Sequence, residues 1–184
     1  MAIQLPKSAA DTFSRGEHYN LDNSAILAYG LQGVASKQVQ EICDRATESY
    51  AKQVLNWPNG RLAKPDIFTP ASKSSPENVA QCAERFVQHL NGLYPLEKGR
   101  ELRTYPHAFV VICKGKLPDT VLVVIAYQED ETWCLKQRSV PIDVELGLSL
   151  DSLRFGDITE EDILNKFKND ETEEVHERDQ QPQT

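Results

Sequence analysis

The sequence predicts an α+β domain, with N-terminal helices packed on a C-terminal antiparallel β-meander of three or four strands. Apolar residues recur at helical spacing in the first half, and from Tyr105 onward the spacing falls close to two. A chain of 184 residues with 40% hydrophobic residues can bury one core. We therefore predict an N-terminal arm over residues 1–22, a single domain over 23–168 and a disordered acidic tail over 169–184.

Two helices are predicted before the first long loop. Residues 23–32 follow an aspartate of a common capping type and stop at Gly33, which predicts a short helix. Ser36 begins a second helix, in which apolar side chains recur at helical spacing as far as Trp57. The proline at position 58 ends this helix, because the residue before a proline avoids the helical region.

A long loop and a third helix are predicted next. Residues 58–75 hold three prolines and four Ser or Thr residues without a period, so they predict a loop of unusual length. Ser75 then offers a hydroxyl cap, Pro76 suits the first helical position and Glu77 lies near the positive helix end. These residues begin a helix that Gly92 closes.

The second half predicts an antiparallel meander, because β-branched and aromatic runs are separated by short polar turns. Val111 is expected opposite Leu122 across the first turn. Ile125 is expected near Cys134 across the second. The strands are predicted over residues 107–114, 120–127 and 132–140, with turns centred on residues 116–117 and 129–130.

Both faces of the middle strand are apolar, so both must be covered. The helices would cover one face, and the segment 140–167 or a second subunit would cover the other. Within that segment, residues 140–155 predict a further strand or an irregular wrap, and residues 159–162 resemble a capping box that opens a last helix. One face is expected to carry Phe109, Val111, Cys113, Leu122, Val124, Trp133 and Leu135, and the other Val110, Ile112, Val121, Val123 and Ile125.

The formal net charge of −8 is divided unevenly, as −2 over residues 1–44, +5 over 45–116 and −11 over 117–184. Such a division concerns electrostatic partners rather than the fold. Nucleic-acid binding by the whole surface is not expected, although a local basic patch leaves it open. The candidate interaction residues are Lys98, Arg100, Arg103, Lys114, Lys116, Lys136 and Arg138.

Composition also indicates where the protein works. No run of 18 apolar residues occurs, and the N-terminus lacks the basic start and apolar centre of a secretion signal. The four cysteines, Cys43, Cys82, Cys113 and Cys134, form no CxxC pair. We expect a soluble cytoplasmic protein with reduced cysteines, no membrane association and no metal or cofactor.

The hairpin around Asp119 and Lys136 resembles the metal site of PD-(D/E)xK nucleases, in which hairpin carboxylates hold Mg²⁺ and a lysine orients water. The position of the second acid, two residues before the lysine, is Cys134, and a thiol is a poor ligand for a hard cation. The predicted register also separates Asp119 from Lys136 by about 13 Å along the hairpin. The resemblance implies an alternative function, a degenerate or unrecognised enzyme with Asp119 and Lys136 as catalytic residues.

Histidine and cysteine chemistry is not predicted. His107 and Cys113 share a strand face, but six residues of strand separate them by about 20 Å. His18, His89 and His176 have no local partner pattern and are expected to be surface or structural residues. The usual nucleotide, hydrolase and zinc-protease signatures do not occur.

The sequence therefore predicts a small protein-binding or regulatory accessory module without catalytic activity. The sheet face that needs a cover, the proline-marked loop and the acidic tail favour this interpretation. The tail would engage a basic partner or fold back on the basic middle segment. We expect a protein partner, and a homodimer is a further interpretation.

Overall fold

The computed structural model describes residues 3–4, 7–16, 18–21, 24–53, 68–71, 75–93, 100–116, 119–129, 131–142 and 144–166. Six strands lie within these ranges: β1 (Ile3–Gln4), β2 (Ala25–Gly30), β3 (Phe68–Pro70), β4 (Thr104–Ile112), β5 (Thr120–Glu129) and β6 (Thr132–Pro141). The same ranges contain five α-helices: α1 (Lys7–Gly16), α2 (Ser36–Gln53), α3 (Val79–Leu93), α4 (Val144–Phe155) and α5 (Glu160–Lys166).

The strands form one mixed sheet in the order β1-β6-β5-β4-β2-β3. The pairs β1–β6, β6–β5 and β5–β4 are antiparallel, whereas β2 runs parallel to both β4 and β3. The fold class is therefore α+β, as predicted. The predicted separation of N-terminal helices from a C-terminal sheet is not found, because the first half contributes three of the strands.

The helix predicted over residues 23–32 is wrong, because Ala25–Gly30 of this segment form β2 inside the sheet. Its side chains from Ala25 to Tyr29 are all buried. A parallel strand covered on both faces is a continuous apolar run, and a run of six residues has no period that separates it from a short helix. The strand ends at Gly30, where an added Cβ would lie 2.6 Å from Cγ2 of Val39 in α2. Close packing of α2 on the strand therefore requires glycine there.

The further strand or wrap predicted over residues 140–155 is also wrong, because Val144–Phe155 of this segment form α4. Leu146, Leu150 and Leu153 are buried at helical spacing, while Leu148 is 39% exposed. The leucines fit a period of two as well as a helical stripe, and only packing against the sheet and α2 separates the two patterns. The helical stripe buries its leucines on the sheet.

Helices cover both faces of the sheet. Side chains of α2, α4 and α5 pack on one face, and side chains of α1 and α3 pack on the other. The twelve side chains predicted on the two faces of the meander lie in, or pack against, the matching clusters. The segment 140–167 thus covers the second face within one chain, which removes the reason for expecting a second subunit there.

The N-terminal residues take part in the core. Phe13 of α1, within the segment predicted as an arm, is fully buried between the rings of Phe86 and Trp133. The domain boundaries at residues 22 and 168 stay predictions, and the tail over 169–184 lies outside the described residues. Residues 54–67, which include the predicted end of the second helix and most of the predicted loop, also lie outside the described residues, as does Phe167.

The register of the meander is as predicted across the first turn and different across the second. Val111 pairs with Leu122, but Ile125 pairs with Lys136 instead of lying near Cys134. The turn falls later than expected, with Glu131 at φ 63°. A shift of two residues leaves every side chain on its predicted face, because side chains alternate with a period of two.

Two helix starts use side-chain caps. Asn78 caps α3, because its Oδ1 accepts a hydrogen bond from the Gln81 amide at 3.0 Å. This helix therefore begins later than the predicted start at Ser75 and Pro76. At α5 the predicted capping box is present: Thr159 Oγ1 accepts from the Asp162 amide at 3.2 Å, and Asp162 Oδ2 accepts from the Thr159 amide at 2.8 Å.

A bulge in β4 shapes the region beside α1 and α5. Ala25 pairs with Thr104 and Leu27 pairs with Phe109. Between these two pairs the chain moves five residues along β4 but only two along β2. Pro106 lies within this stretch, where the lack of a main-chain N–H costs no ladder hydrogen bond. Tyr105 packs in the cluster of α2, α4 and α5, although regular alternation from Phe109 would place it on the other face.

Candidate functional site

The seven predicted interaction residues do not form one patch. Arg103 precedes β4 and Lys114 follows it, so the strand separates them by roughly 30 Å. On β6, Lys136 Nζ lies 4.1 Å from the centre of the Tyr127 ring, and Arg138 Nε donates to the Leu164 carbonyl at 3.1 Å. Lys98 lies outside the described residues, as does the side chain of Lys116.

The nuclease-like pair is not brought together. Asp119 precedes Thr120, which pairs with Pro141, whereas Lys136 pairs with Ile125. Six residues of β5 therefore separate the two side chains by about 20 Å, more than the sequence predicted. Within the described part of the chain, no group of three or more His, Cys, Asp or Glu side chains could hold a metal ion.

A groove of about 820 Å³ lies between α3, the edge of the sheet at β2 and β3, and the start of β4. We call it the basic groove. None of the described residues that line it is an aspartate or a glutamate, although the chain carries a net charge of −8. Its polar side chains include Arg85, His89, Arg103 and Thr104, and its apolar wall includes Leu27 and Pro70.

Arg85 of α3 supplies one positive charge at the floor of the basic groove. Burial raises the pKa of the Tyr29 hydroxyl, and the charge of Arg85 opposes that rise. Burial likewise raises the pKa of the Cys82 thiol to about 12, again opposed by Arg85. The thiol therefore stays protonated near neutral pH and is not a nucleophile.

His89 lies in the same groove and is uncharged near neutral pH. Its Nε2 is 3.0 Å from Thr104 Oγ1, and burial lowers the pKa of the imidazole. The positive charge of the basic groove therefore comes from Arg85 and Arg103. Of these, only Arg103 was predicted from the sequence, because Arg85 and His89 lie on α3 and join Arg103 only through the packing of that helix. Their spacing of four residues beside the apolar stripe of α3 was the available signal.

A second cluster of ionisable groups joins α1, β4 and α5. His107 Nε2 lies 3.1 Å from the main-chain oxygen of Phe13, and its Nδ1 lies 3.3 Å from Glu160 Oε1. The Tyr105 hydroxyl donates to the same carboxylate oxygen at 3.3 Å. We call this set of four groups the latch. Both ring nitrogens are engaged, so His107 has no free nitrogen for general acid or base chemistry.

The electrostatics of the latch favour a charged carboxylate. Burial raises the pKa of Glu160, but hydrogen bonds from His107 and from the main chain outweigh it, so the net pKa is lowered. Burial, followed by the charge of Glu160, raises the pKa of the Tyr105 hydroxyl. Tyr105 therefore acts as a hydrogen-bond donor to the glutamate over the physiological range.

A shallower groove of about 570 Å³ adjoins the latch, and Tyr105 and Glu160 line it together with Tyr19 and Phe155. Arg154 lines it as well, but its charge is committed inside the fold. One terminal nitrogen donates to the Ser24 carbonyl at 2.6 Å, and the other contacts Asp151. The positive charge of Arg154 is therefore compensated by a buried carboxylate rather than offered to a ligand.

The remaining predicted histidines and cysteines show no shared site. His18 is exposed, and His176 lies outside the described residues. None of the four cysteines forms a disulfide bond, and Cys43 and Cys82 are buried.

Comparison of the chain with protein-family models, with curated proteins and with solved structures found no significant match. Among the helices that the structure describes, none combines the length and the apolar character needed to cross a bilayer. The basic groove and the latch are therefore interpreted from their own geometry. The described lining of the groove holds two arginines and no carboxylate, whereas the latch directs its polar groups at one another.

Proposed function

We propose that the chain is a protein-binding module without catalytic activity, which holds an acidic segment of a partner protein in the basic groove. One observation carries the proposal. Two arginines line a groove of about 820 Å³ that no described aspartate or glutamate lines, in a chain of net charge −8. Charges of one sign in a concave site attract and hold ligands of the opposite sign.

The dimensions of the basic groove suit a short peptide. Ala25, Leu27 and Tyr29 line its wall on alternate positions of β2 and span about 13 Å. That length matches about four residues of extended peptide. Arg85 and Arg103 would each hold a carboxylate through paired N–H groups, which is the geometry that arginine favours. The apolar wall would contact the side chains between the two carboxylates.

Support for a non-catalytic role comes from the state of two side chains of the types that enzymes use as nucleophile and base. The Cys82 thiol stays protonated because burial raises its pKa to about 12. The His107 nitrogens are both engaged in the fold. The alternative with Asp119 and Lys136 as catalytic residues finds no support, because about 20 Å of strand lies between them.

A cytoplasmic location remains a prediction, and cysteines without disulfide bonds fit a reducing compartment. A homodimer is not part of the proposal, since α4 and α5 cover the sheet face for which a second subunit was considered.

The test is fluorescence anisotropy with a labelled eight-residue peptide of alternating Glu and Leu. A peptide with Gln in place of every Glu is the matched probe. We expect the Glu peptide to bind the wild-type chain at least tenfold more tightly than the Gln peptide. Arg85→Gln and Arg103→Gln should each weaken binding about tenfold, which is a change of about 1.4 kcal/mol. Binding should also weaken as salt is raised.

Lys114→Gln is the matched control, because it removes the same charge from an exposed side chain that does not line the basic groove. Equal weakening by Lys114→Gln and Arg103→Gln would show a general charge effect and contradict the proposal. Absence of any difference between the Glu and Gln peptides would contradict it too. Tighter binding of a labelled single-stranded oligonucleotide than of the Glu peptide would assign the groove to nucleic acid instead.

A further inference from the structure

The hydrogen bonds of His107 fix where its protons must be. A carbonyl oxygen only accepts, so the 3.1 Å contact with the Phe13 oxygen requires a hydrogen on Nε2. The other nitrogen, Nδ1, then lies 3.3 Å from a carboxylate oxygen of Glu160. An ionised carboxylate also only accepts, so this contact is favourable only while a proton lies between the two atoms.

The surroundings of the ring indicate which group holds that proton. From β4, the Tyr105 hydroxyl donates to the same Glu160 oxygen. From β6, the Trp133 ring lies 5.2 Å from the imidazole, and α1 contributes the main-chain oxygen of Phe13. Glu160 is thus the charged group that the described elements bring to His107. Hydrogen bonds from His107 and the main chain outweigh burial and lower the pKa of Glu160, which favours its carboxylate form.

We propose that His107 and Glu160 form a proton-operated latch that holds the first turn of α5 against β4 and the end of α1. With the proton present, an imidazolium bridges the Phe13 carbonyl and the Glu160 carboxylate. When Nδ1 gives its proton to solvent, its lone pair faces the carboxylate oxygen and the contact becomes repulsive. The start of α5 then opens, while the burial of Ile163 and Leu164 holds its second half.

Opening of the latch would change the shallower groove beside it. Glu160 and Thr159 line that groove, so movement of the first turn of α5 alters one of its walls. The proposal does not depend on the basic groove, which lies between α3 and the β2–β3 edge. It assigns a pH response to a particular turn of the fold.

The pH dependence has two limits, and each has a definite sign. On the acid side, Glu160 has a lowered pKa in the folded chain. Its contribution is therefore fully present above the ordinary carboxyl pKa and is lost as pH falls through the lowered value. The second limit follows from geometry: without a proton on Nδ1, its lone pair faces the Glu160 oxygen at 3.3 Å and the contact no longer holds. The latch is closed only between these two limits.

The experiment uses the full chain and two readouts. Nitrogen-15 NMR of the ring follows protonation of His107 Nδ1 directly as the pH is raised. Amide hydrogen exchange, corrected for the intrinsic pH effect, follows opening of α5. We expect protection of the first turn of α5 to fall about tenfold over the pH range in which Nδ1 loses its proton.

Glu160→Gln is the matched variant. A side-chain amide can accept from a protonated Nδ1 or donate to an unprotonated one, so the contact should survive in both states. We expect this variant to protect α5 nearly equally across the same pH range. His18→Gln removes an exposed histidine and should leave the wild-type pH dependence unchanged.

Three results would overturn the latch. The first is constant protection of α5 in the wild-type chain while Nδ1 loses its proton. The second is a ring that carries no proton on Nδ1 at any pH at which the chain is folded. The third is a Glu160→Gln variant that keeps the full wild-type pH dependence. The first two are measured on the wild-type chain, so they remain decisive if the variant fails to fold.

Discussion

The basic groove and the latch each contain a hydrogen-bonded histidine, exposed in the groove and buried in the latch, and they use it in opposite ways. In the groove, His89 has one hydroxyl partner, Thr104, and stays neutral beside two arginines. In the latch, both nitrogens of His107 are engaged by the fold. The difference teaches that histidine alone indicates neither a site nor a structural role. The number of partners already engaged decides whether polar groups remain for a ligand.

The largest loss of stability is expected from a substitution that removes core packing next to the latch. Phe13 is fully buried, with its ring 5.4 Å from that of Trp133. Phe13→Ala should lower the free energy of unfolding by about 3–5 kcal/mol, because it leaves a cavity between α1 and the sheet. Urea denaturation measures the change.

Phe155→Ala is the control for that substitution. Its ring is 52% exposed beside the shallower groove, so the same chemical change should cost less than about 1 kcal/mol. Similar losses for both variants would mean that α1 does not form part of the core.

The elements predicted correctly are those whose sequence pattern is local and repeated. In β5, apolar residues face both sides over several residues, so the need for two covering layers followed from the strand itself. The wrong elements, β2 and α4, are short apolar segments in which a period of two and a helical stripe share the same residues. In both cases tertiary packing decided: β2 is buried inside the sheet, with Ile26 and Leu27 on opposite faces, and α4 packs its leucines on one face.

The candidate sites were largely beyond prediction because their parts come from distant segments. His107 and Glu160 are 53 residues apart, and nothing near either residue indicates the other. Arg103 was identified because it lies in a visibly basic stretch, whereas Arg85 joins it only through the packing of α3 on the sheet. Pro106 was the available signal for the bulge next to His107, since a proline inside a strand indicates irregular pairing.

A smaller effect is expected where α1 meets the bulge. A Cβ added at Gly16 would lie 2.5 Å from Cγ of Pro106 and 3.3 Å from Nε2 of His107. Gly16→Ala should therefore destabilise the chain by about 1–3 kcal/mol, because the bulge or the end of α1 must shift. The shift should also disturb the latch, so the pH dependence of α5 protection should change while peptide binding in the basic groove should not.

Gly92→Ala sharpens this comparison. Gly92 lies in α3 with no atom within 4 Å of an added Cβ, so alanine there should stabilise the chain by up to about 1 kcal/mol. Thermal denaturation should show a lower Tm for Gly16→Ala and a higher Tm for Gly92→Ala. A neutral Gly16→Ala would show that α1 does not press against the bulge.

The smallest expected effect separates the latch from the cap next to it. Thr159 caps α5 through Oγ1, and Glu160 of the latch follows it directly. Thr159→Ala should cost about 1 kcal/mol and raise exchange of the α5 amides equally with the latch closed or open, because the hydrogen bonds that it removes involve neither His107 nor Glu160. Thr159→Ser keeps the hydroxyl and should behave as the wild type. If Thr159→Ala instead removed the pH response, the cap and the latch would act as one unit, and the response could not be assigned to His107 and Glu160 alone.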